Sequence, residues 1–170
     1  MREIHVQTIT DAVERLCIQA CTTLSEDWWR AMEKATAKEE SPLGKNILKI
    51  LQENARMAAS TGETICQDTG VAVIFLELGQ EAHVTGGNLY EAINEGVRRG
   101  YTNGYLRKSV VDDPFIRKNT GDNTPGIIHP EIVSGDRLKI TVAPKGIGSE
   151  NMSGIRMLKP ADGKEGIIKF

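Results

Sequence analysis

Val71-Ala72-Val73-Ile74-Phe75-Leu76 is the longest apolar run in the chain, and it constrains the fold more than any other segment. Six residues fall far short of the ~20 that carry a helix across a bilayer. The run is rich in β-branched residues and follows a polar turn, so it predicts a strand buried in a sheet. Whatever else the chain does, it must build layers that cover this strand.

The sixty residues before it have helical spacing. Thr10 is read as an N-cap, followed by Val13, Leu16, Cys17, Ala20 and Leu24 on one face. Ser25 is read as the cap of a second helix, with Glu26 and Asp27 in its first turn, where the helix dipole favours acids. Its expected core residues are Trp28, Ala31, Met32 and Ala35. Ser41-Pro42 is a helix-start signal, because proline suits the first helical position. Ile47, Leu48, Leu51, Ala55 and Ala58 form the next stripe, ended by Ser60-Thr61-Gly62.

After the strand, Gly86-Gly87-Asn88 opens a helix predicted to run to about Tyr101, with Leu89, Ile93 and Val97 inward. Residues 107–126 lack periodicity and are rich in turn formers, and a long irregular stretch inside a compact domain points to function or disorder. Ile127 to Val133 and Arg137 to Val142 read as strands joined at Ser134-Gly135-Asp136. In the second, Leu138, Ile140 and Val142 alternate with Arg137, Lys139 and Thr141, which suits a sheet with one wet face. Ile167 to Phe170 also reads as strand. The expected fold is α+β: helices first, then a small, mainly antiparallel or mixed sheet with long functional loops, in one domain spanning residues 1–170.

Composition narrows the function. The chain has 170 residues and a formal net charge of −2, and it shows no basic stripe of the kind that binds nucleic acid or an anionic membrane. No apolar leader core is present in the first residues, so a cytoplasmic location is expected. Three cysteines, Cys17, Cys21 and Cys66, are an odd number and argue against a disulfide framework.

Polar residues and glycine concentrate in three segments where a core has no use for them. In Cys66-Gln67-Asp68-Thr69-Gly70, a cysteine among polar neighbours can ionise and bind a soft metal or act as a nucleophile, although burial as a small hydrophobe is the commoner fate of a free thiol. Cys17 falls on an apolar stripe with Cys21 four residues on, and core packing is the stronger reading of that pair. The loop from Arg107 to Thr124 holds Arg107, Lys108, Arg117 and Lys118 beside Asp112, Asp113 and Asp122. It suits either a solvated loop with weak ion pairs or a carboxylate site built on an arginine fork. The third segment, Lys145-Gly146-Ile147-Gly148-Ser149-Glu150-Asn151, can bring backbone N–H groups to an anion, but an ordinary turn explains it as well. It is no phosphate-binding P-loop, since no Gly-Lys-Ser/Thr ends it. His5, His83 and His129 are scattered and are read as structural or exposed.

Taken together and in order, the first segment, Arg117-Lys118-Asn119-Thr120-Gly121-Asp122-Asn123-Thr124-Pro125 and Lys145 to Ser153 resemble the class I, iron–sulfur-dependent fumarase and L-tartrate dehydratase family. Ile128-His129-Pro130-Glu131, between the last two, adds to the likeness, which is to the N-terminal region of the α-subunit. The resemblance implies a hydro-lyase, reversibly hydrating fumarate to malate, with L-tartrate dehydration as the alternative. It implies a 4Fe–4S cluster held by three cysteines, of which Cys66 is the first. It further implies Asp68 in proton transfer, with Gln67, Arg107 and Gly148 binding the small dicarboxylate substrate. Ile147 stands where the family pattern has glycine. The other two ligand cysteines have no counterpart here, so the resemblance implies a truncated chain, inactive alone and completed by a β-subunit or C-terminal domain in an oligomer. Two further readings stand beside it: a non-catalytic assembly module that holds a partner subunit, and a small thiol or zinc protein using Cys66.

Overall fold

The computed structural model describes the backbone of residues 1–170 and every side chain except those of Ser149 and Glu150. The elements run β1 (Arg2–His5), α1 (Val6–Thr22), α2 (Glu26–Lys38), α3 (Pro42–Thr61), β2 (Val71–Gly79), β3 (Ala82–Thr85), α4 (Leu89–Asn103), β4 (Ile127–Val133), β5 (Leu138–Lys145) and α5 (Gly163–Lys169). The α+β expectation holds.

The apolar run is the centre of the molecule. β2 is the middle of a three-stranded sheet ordered β4-β2-β5, parallel to β4 and antiparallel to β5. Alternate residues Ala72, Ile74 and Leu76 are sealed beneath α1 and α4. α1 contributes Ile9, Val13, Cys17 and Cys21, and α4 contributes Ile93, Val97 and Tyr101, both at helical spacing. The other face of the sheet is open. Phe75 is 47% exposed there and stacks on His129, with ring centroids 5.2 Å apart. β1 and β3, which the sequence reading did not separate from loop, pair in parallel as a second, two-stranded sheet.

The helix signals hold best where a cap is local. Asn88 Oδ1 accepts hydrogen bonds from the N–H groups of Tyr90 and Glu91 at the start of α4. Ser41 Oγ accepts from Gly44 N at the start of α3, and Gly62 closes that helix in the left-handed region at φ +78°.

Four expectations need correction. Thr10 does not cap α1; the helix starts a turn earlier, at the His5 N-cap, and the Thr10 hydroxyl donates to Ala92 O inside the α1–α4 contact. α2 buries none of its residues, and Ala31 and Ala35 are exposed, because α3 is its main neighbour. On α3 the buried positions are Gln52, Ala55 and Ala58, leaving Ile47 and Leu51 on the surface. Ile167 to Phe170 is no strand: Lys159 N donates to Asp162 Oδ2, Pro160 opens a 3₁₀ turn, and α5 follows directly. The β-branched pair there lacks any strand to join, so propensity yields to that local start signal.

β4 and β5 follow each other in sequence but do not pair. β2 inserts between them, with Leu76 opposite both Pro130 and Ile140. This arrangement decides where the loops go. Strands β2 and β4 run the same way, so the segments entering them, 66–70 and 107–126, meet at one end of the sheet. β5 runs the opposite way, so the segment leaving it after Lys145 emerges at that same end, with Lys145 opposite Val71.

Candidate functional site

All three polar segments therefore converge. The Cys66–Gly70 turn reaches β2 through Gly70, whose φ is +56°. A Cβ at Gly70 would overlap the carbonyl of Lys145, so glycine is needed there to let the turn lie against the exit of β5. On the other side of the same contact, a Cβ on Gly146 would come within 2.6 Å of Asp68 Oδ2. The Asp68 carboxylate thus rests against bare backbone at Gly146.

The second loop is tied to the first by side chains. Thr69 is buried, and its hydroxyl donates to the carbonyl of Arg107 at 2.8 Å. The Tyr101 hydroxyl of α4 donates to Thr69 O at 2.9 Å. Burial pushes the Tyr101 phenol far above its ordinary pKa, so it stays a donor throughout the neutral range. Asn123, wholly buried, donates to Gly70 O at 3.0 Å and accepts from Ser109 N and Val110 N. Asp122 beside it accepts from Arg98 of α4 at 2.9 Å and from the N–H and hydroxyl of Thr124. Partial burial works against ionisation of Asp122, but the Thr124 and Arg98 hydrogen bonds outweigh it and hold the carboxyl down at about 2.

Cys66 is exposed at the rim, and its sulfur accepts a hydrogen bond from Asp68 N at 3.4 Å. Cys66 and Asp68 open on a cleft of about 190 Å³ whose apolar wall is Leu24, Ile65 and Pro144. That volume is below the roughly 300–1,000 Å³ of sites for drug-sized ligands and suits a small metabolite. A groove of about 640 Å³ follows the outer face of α1 between Asp11 and Thr23, but it contains no cysteine and none of the three segments.

Cys66, Asp68 and the main chain of Arg107 are brought together. The Arg107 side chain is exposed, and among the described residues its guanidinium has no hydrogen-bond or ion-pair partner. Gln67 is exposed on the same turn. Gly148 opens the 3₁₀ turn Gly148–Met152 and is exposed, with open space around its Cα. Sequence reasoning missed Tyr101 and Gly146 as parts of the site. Tyr101 belonged to a helix stripe and gave no signal, whereas Gly146 lay in a segment already singled out.

The thiols divide sharply. Burial pushes Cys17 up to about 12, with a further contribution from Cys21, and burial alone pushes Cys21 up to about 11. Both are protonated at neutral pH inside the core, consistent with packing rather than metal binding. Among the described residues no group of three or more His, Cys, Asp or Glu could hold a metal ion. Among the described residues Cys66 is the one exposed cysteine, so a 4Fe–4S cluster would find one soft ligand here and not a complete cradle. Among the described residues, no helix is long and apolar enough to cross a membrane.

The family model for Fumarate hydratase (Fumerase) matches residues 10–170. A Methanocaldococcus jannaschii protein named "Putative L(+)-tartrate dehydratase subunit alpha" is 42% identical over 168 residues, covering 95% of this chain and 59% of that protein. The L(+)-tartrate dehydratase subunit alpha of Escherichia coli strain K12 is 26% identical, covering 97% of this chain and 55% of its own length. That of Shigella sonnei strain Ss046 gives the same values. The chain spans a little over half the length of these relatives. With a family match extending from the first helix to the last residue, the chain belongs to the Fumarate hydratase (Fumerase) family.

Proposed function

We propose that this chain carries part of the active site of a hydro-lyase that adds water to, or removes it from, a four-carbon dicarboxylate. Fumarate is the first substrate reading. L-tartrate is the second, and the names of the relatives at 42% and 26% identity favour it. The observation that carries the proposal is an exposed thiol and a carboxylate lining one small cleft, on a turn that Thr69 ties to the arginine-bearing loop.

Asp68 would move the proton. Its carboxylate is exposed to the cleft and oriented by contact with the Gly146 backbone, which suits a group that must take a proton from carbon beside a substrate carboxylate. The Arg107 fork matches a carboxylate in shape and charge, and it would hold one end of the substrate. Gln67 would add a hydrogen bond at the rim, and the backbone from Gly146 to Gly148 would approach the substrate without side-chain obstruction at the glycines. Cys66 would be one thiolate ligand of a 4Fe–4S cluster, the other ligands coming from further polypeptide. Such a cluster would supply a Lewis-acid iron that eases loss of hydroxide. In this reading residues 1–170 are an α-subunit-like N-terminal domain, completed by a β-subunit or C-terminal domain within an oligomer and working in the cytoplasm.

The test uses the assembled enzyme, assayed for fumarate hydration and for L-tartrate dehydration. Asp68→Asn should lower kcat by about 10²–10⁴ fold with the fold intact. Cys66→Ser should abolish turnover. Wild-type rates in Cys66→Ser on whichever substrate is used would remove the thiol from the site and end the proposal.

A further inference from the structure

We propose that Asn123 is the positioning residue of this site: its one carboxamide holds the Cys66–Asp68 turn in register with the Arg107 loop. The inference rests on the reading of Cys66, Asp68 and Arg107 given above, and it adds the device that sets their spacing.

Asn123 has no exposed surface; its carboxamide is hydrogen-bonded to loop backbone at three points, and the Tyr101 hydroxyl of α4 lies within hydrogen-bond reach of it. Nδ2 donates to Gly70 O, two residues from Asp68. Oδ1 accepts from Ser109 N at 2.6 Å and Val110 N at 3.0 Å, the former two residues from Arg107. The orientation of the amide follows from chemistry, because Gly70 offers it a carbonyl while Ser109 and Val110 offer N–H groups. None of the three backbone partners belongs to α1, α4 or the sheet that forms the core. A purely structural asparagine could cap a helix or close its own turn. This one instead joins two segments 53 and 14 residues away in sequence.

The requirement is an acceptor and a donor on one short side chain. An aspartate keeps the acceptor but turns a carboxylate toward the Gly70 carbonyl. A leucine leaves the buried Gly70 carbonyl and the half-buried N–H groups of Ser109 and Val110 without this partner. The backbone at Asn123 is also left-handed, with φ +61°, a conformation that asparagine tolerates better than most side chains. The Thr69 hydroxyl bond to Arg107 O runs beside this pin and ties the same two loops.

The experiment compares Asn123→Asp with Ile93→Val, a core change on α4 of modest global cost, in the 170-residue chain by residue-resolved amide exchange. In Asn123→Asp the amides of Ser109 and Val110 should stay protected by the retained oxygen, while those of residues 66–70 exchange about tenfold faster. Tenfold is the factor set by one net hydrogen bond. Ile93→Val should leave both sets at wild-type rates relative to global unfolding. Unchanged exchange at 66–70 in Asn123→Asp, or an equal loosening in Ile93→Val, would overturn the proposal. A measurement on the unaltered chain covers the case in which Asn123→Asp fails to fold. The two Asn123 side-chain amide protons should give separate, slowly exchanging signals, and rapid exchange of both would refute the pin. In the assembled enzyme, Asn123→Asp should lower kcat about tenfold with Ile93→Val at wild-type kcat; an unchanged kcat in Asn123→Asp would equally refute it. A Cys66→Ser enzyme that kept its turnover would sink the proposed function while leaving the exchange pattern in place, so the two failures are distinct.

Discussion

Two glycines face each other across the site, yet replacing them should have opposite consequences. Gly70 sits at φ +56° with the Lys145 carbonyl where a Cβ would go, and the obstructing atoms are backbone held in the sheet. Gly70→Ala should therefore cost stability by about 3 kcal/mol, read as a lower urea midpoint at unchanged slope. At Gly146 the obstructing atoms are the end of the Asp68 side chain, which can swing away. Gly146→Ala should leave the urea midpoint within about 0.5 kcal/mol of wild type while lowering kcat of the assembled enzyme, because the carboxylate loses its seat. A large loss of stability in Gly146→Ala would show that Asp68 is held more firmly than its exposure implies.

Asp122 gives a pH test at the same scale. Its carboxyl is held at about 2 in the fold against an ordinary value of 3.8, so ionised Asp122 favours the folded state. That contribution is complete above about pH 4 and is lost as pH falls through 2. Glu95, which shares Arg98 and is also held below its ordinary value, through its hydrogen bonds to Arg99 and Arg98, adds to the same trend. Stability measured by denaturant titration should fall from pH 4 to 2, and Asp122→Asn should be less stable at pH 5 with a shallower slope across that window. An identical slope in the variant would place the acid sensitivity elsewhere.

At the scale of elements, α1 and α4 approach closely because α4 presents Gly96 and Gly100 to its neighbour. A Cβ on Gly96 would meet Thr10 O and Val13 Cβ at 2.7 Å, and one on Gly100 would meet Cys17 Cβ at the same distance. Alanine is the better helix former by about 1 kcal/mol, but overpacking a core contact costs typically about 1–3 kcal/mol. The backbone of α1 cannot retreat without disturbing the sheet beneath it, so the packing cost should win. Gly96→Ala is expected to lower the thermal midpoint, and a higher midpoint would mean that the two helices are freer to separate than their buried seam implies. The same contact explains Thr10. As sequence it resembled a cap, and in the fold its hydroxyl is better used on Ala92 O across the helix pair.

At the scale of the whole molecule, stability is unevenly distributed. The core lies between the β4-β2-β5 sheet and the α1–α4 pair. α2 buries nothing and α3 only three residues. Elements with few buried contacts open at low free energy. Amide exchange should therefore release α2 first and α1, α4 and β2 last, with trypsin cutting early at Arg30, Lys34 or Lys38. Protection of α2 equal to that of α4 in the 170-residue chain would contradict this order. On α3, Leu43, Ile47, Ile50 and Met57 are exposed.

Much of this was legible in the residues themselves. The apolar run at 71–76 had to be a buried strand; Asn88 and the spacing of Leu89, Ile93 and Val97 defined α4; Ser41-Pro42 and Gly62 bounded α3. The three polar segments were visible as places where glycine and charge had no packing purpose, and Cys66 stood apart from two cysteines with helical surroundings. These are local signals, written in caps, periodicity and composition, and neighbours within one turn or strand suffice to express them. What the sequence could not settle was partnership. That β2 would separate β4 from β5, that β4 would run parallel to it, and that one end of the sheet would thereby collect all three loops depends on pairing between residues dozens of positions apart. The same holds for Asn123, whose role exists only once Gly70 and Ser109 are brought to it, and for α2, whose apolar face is only half covered by α3. Periodicity tells a segment which face is apolar, but burial is conferred by a neighbour, and the neighbour is chosen by the energy of the whole fold.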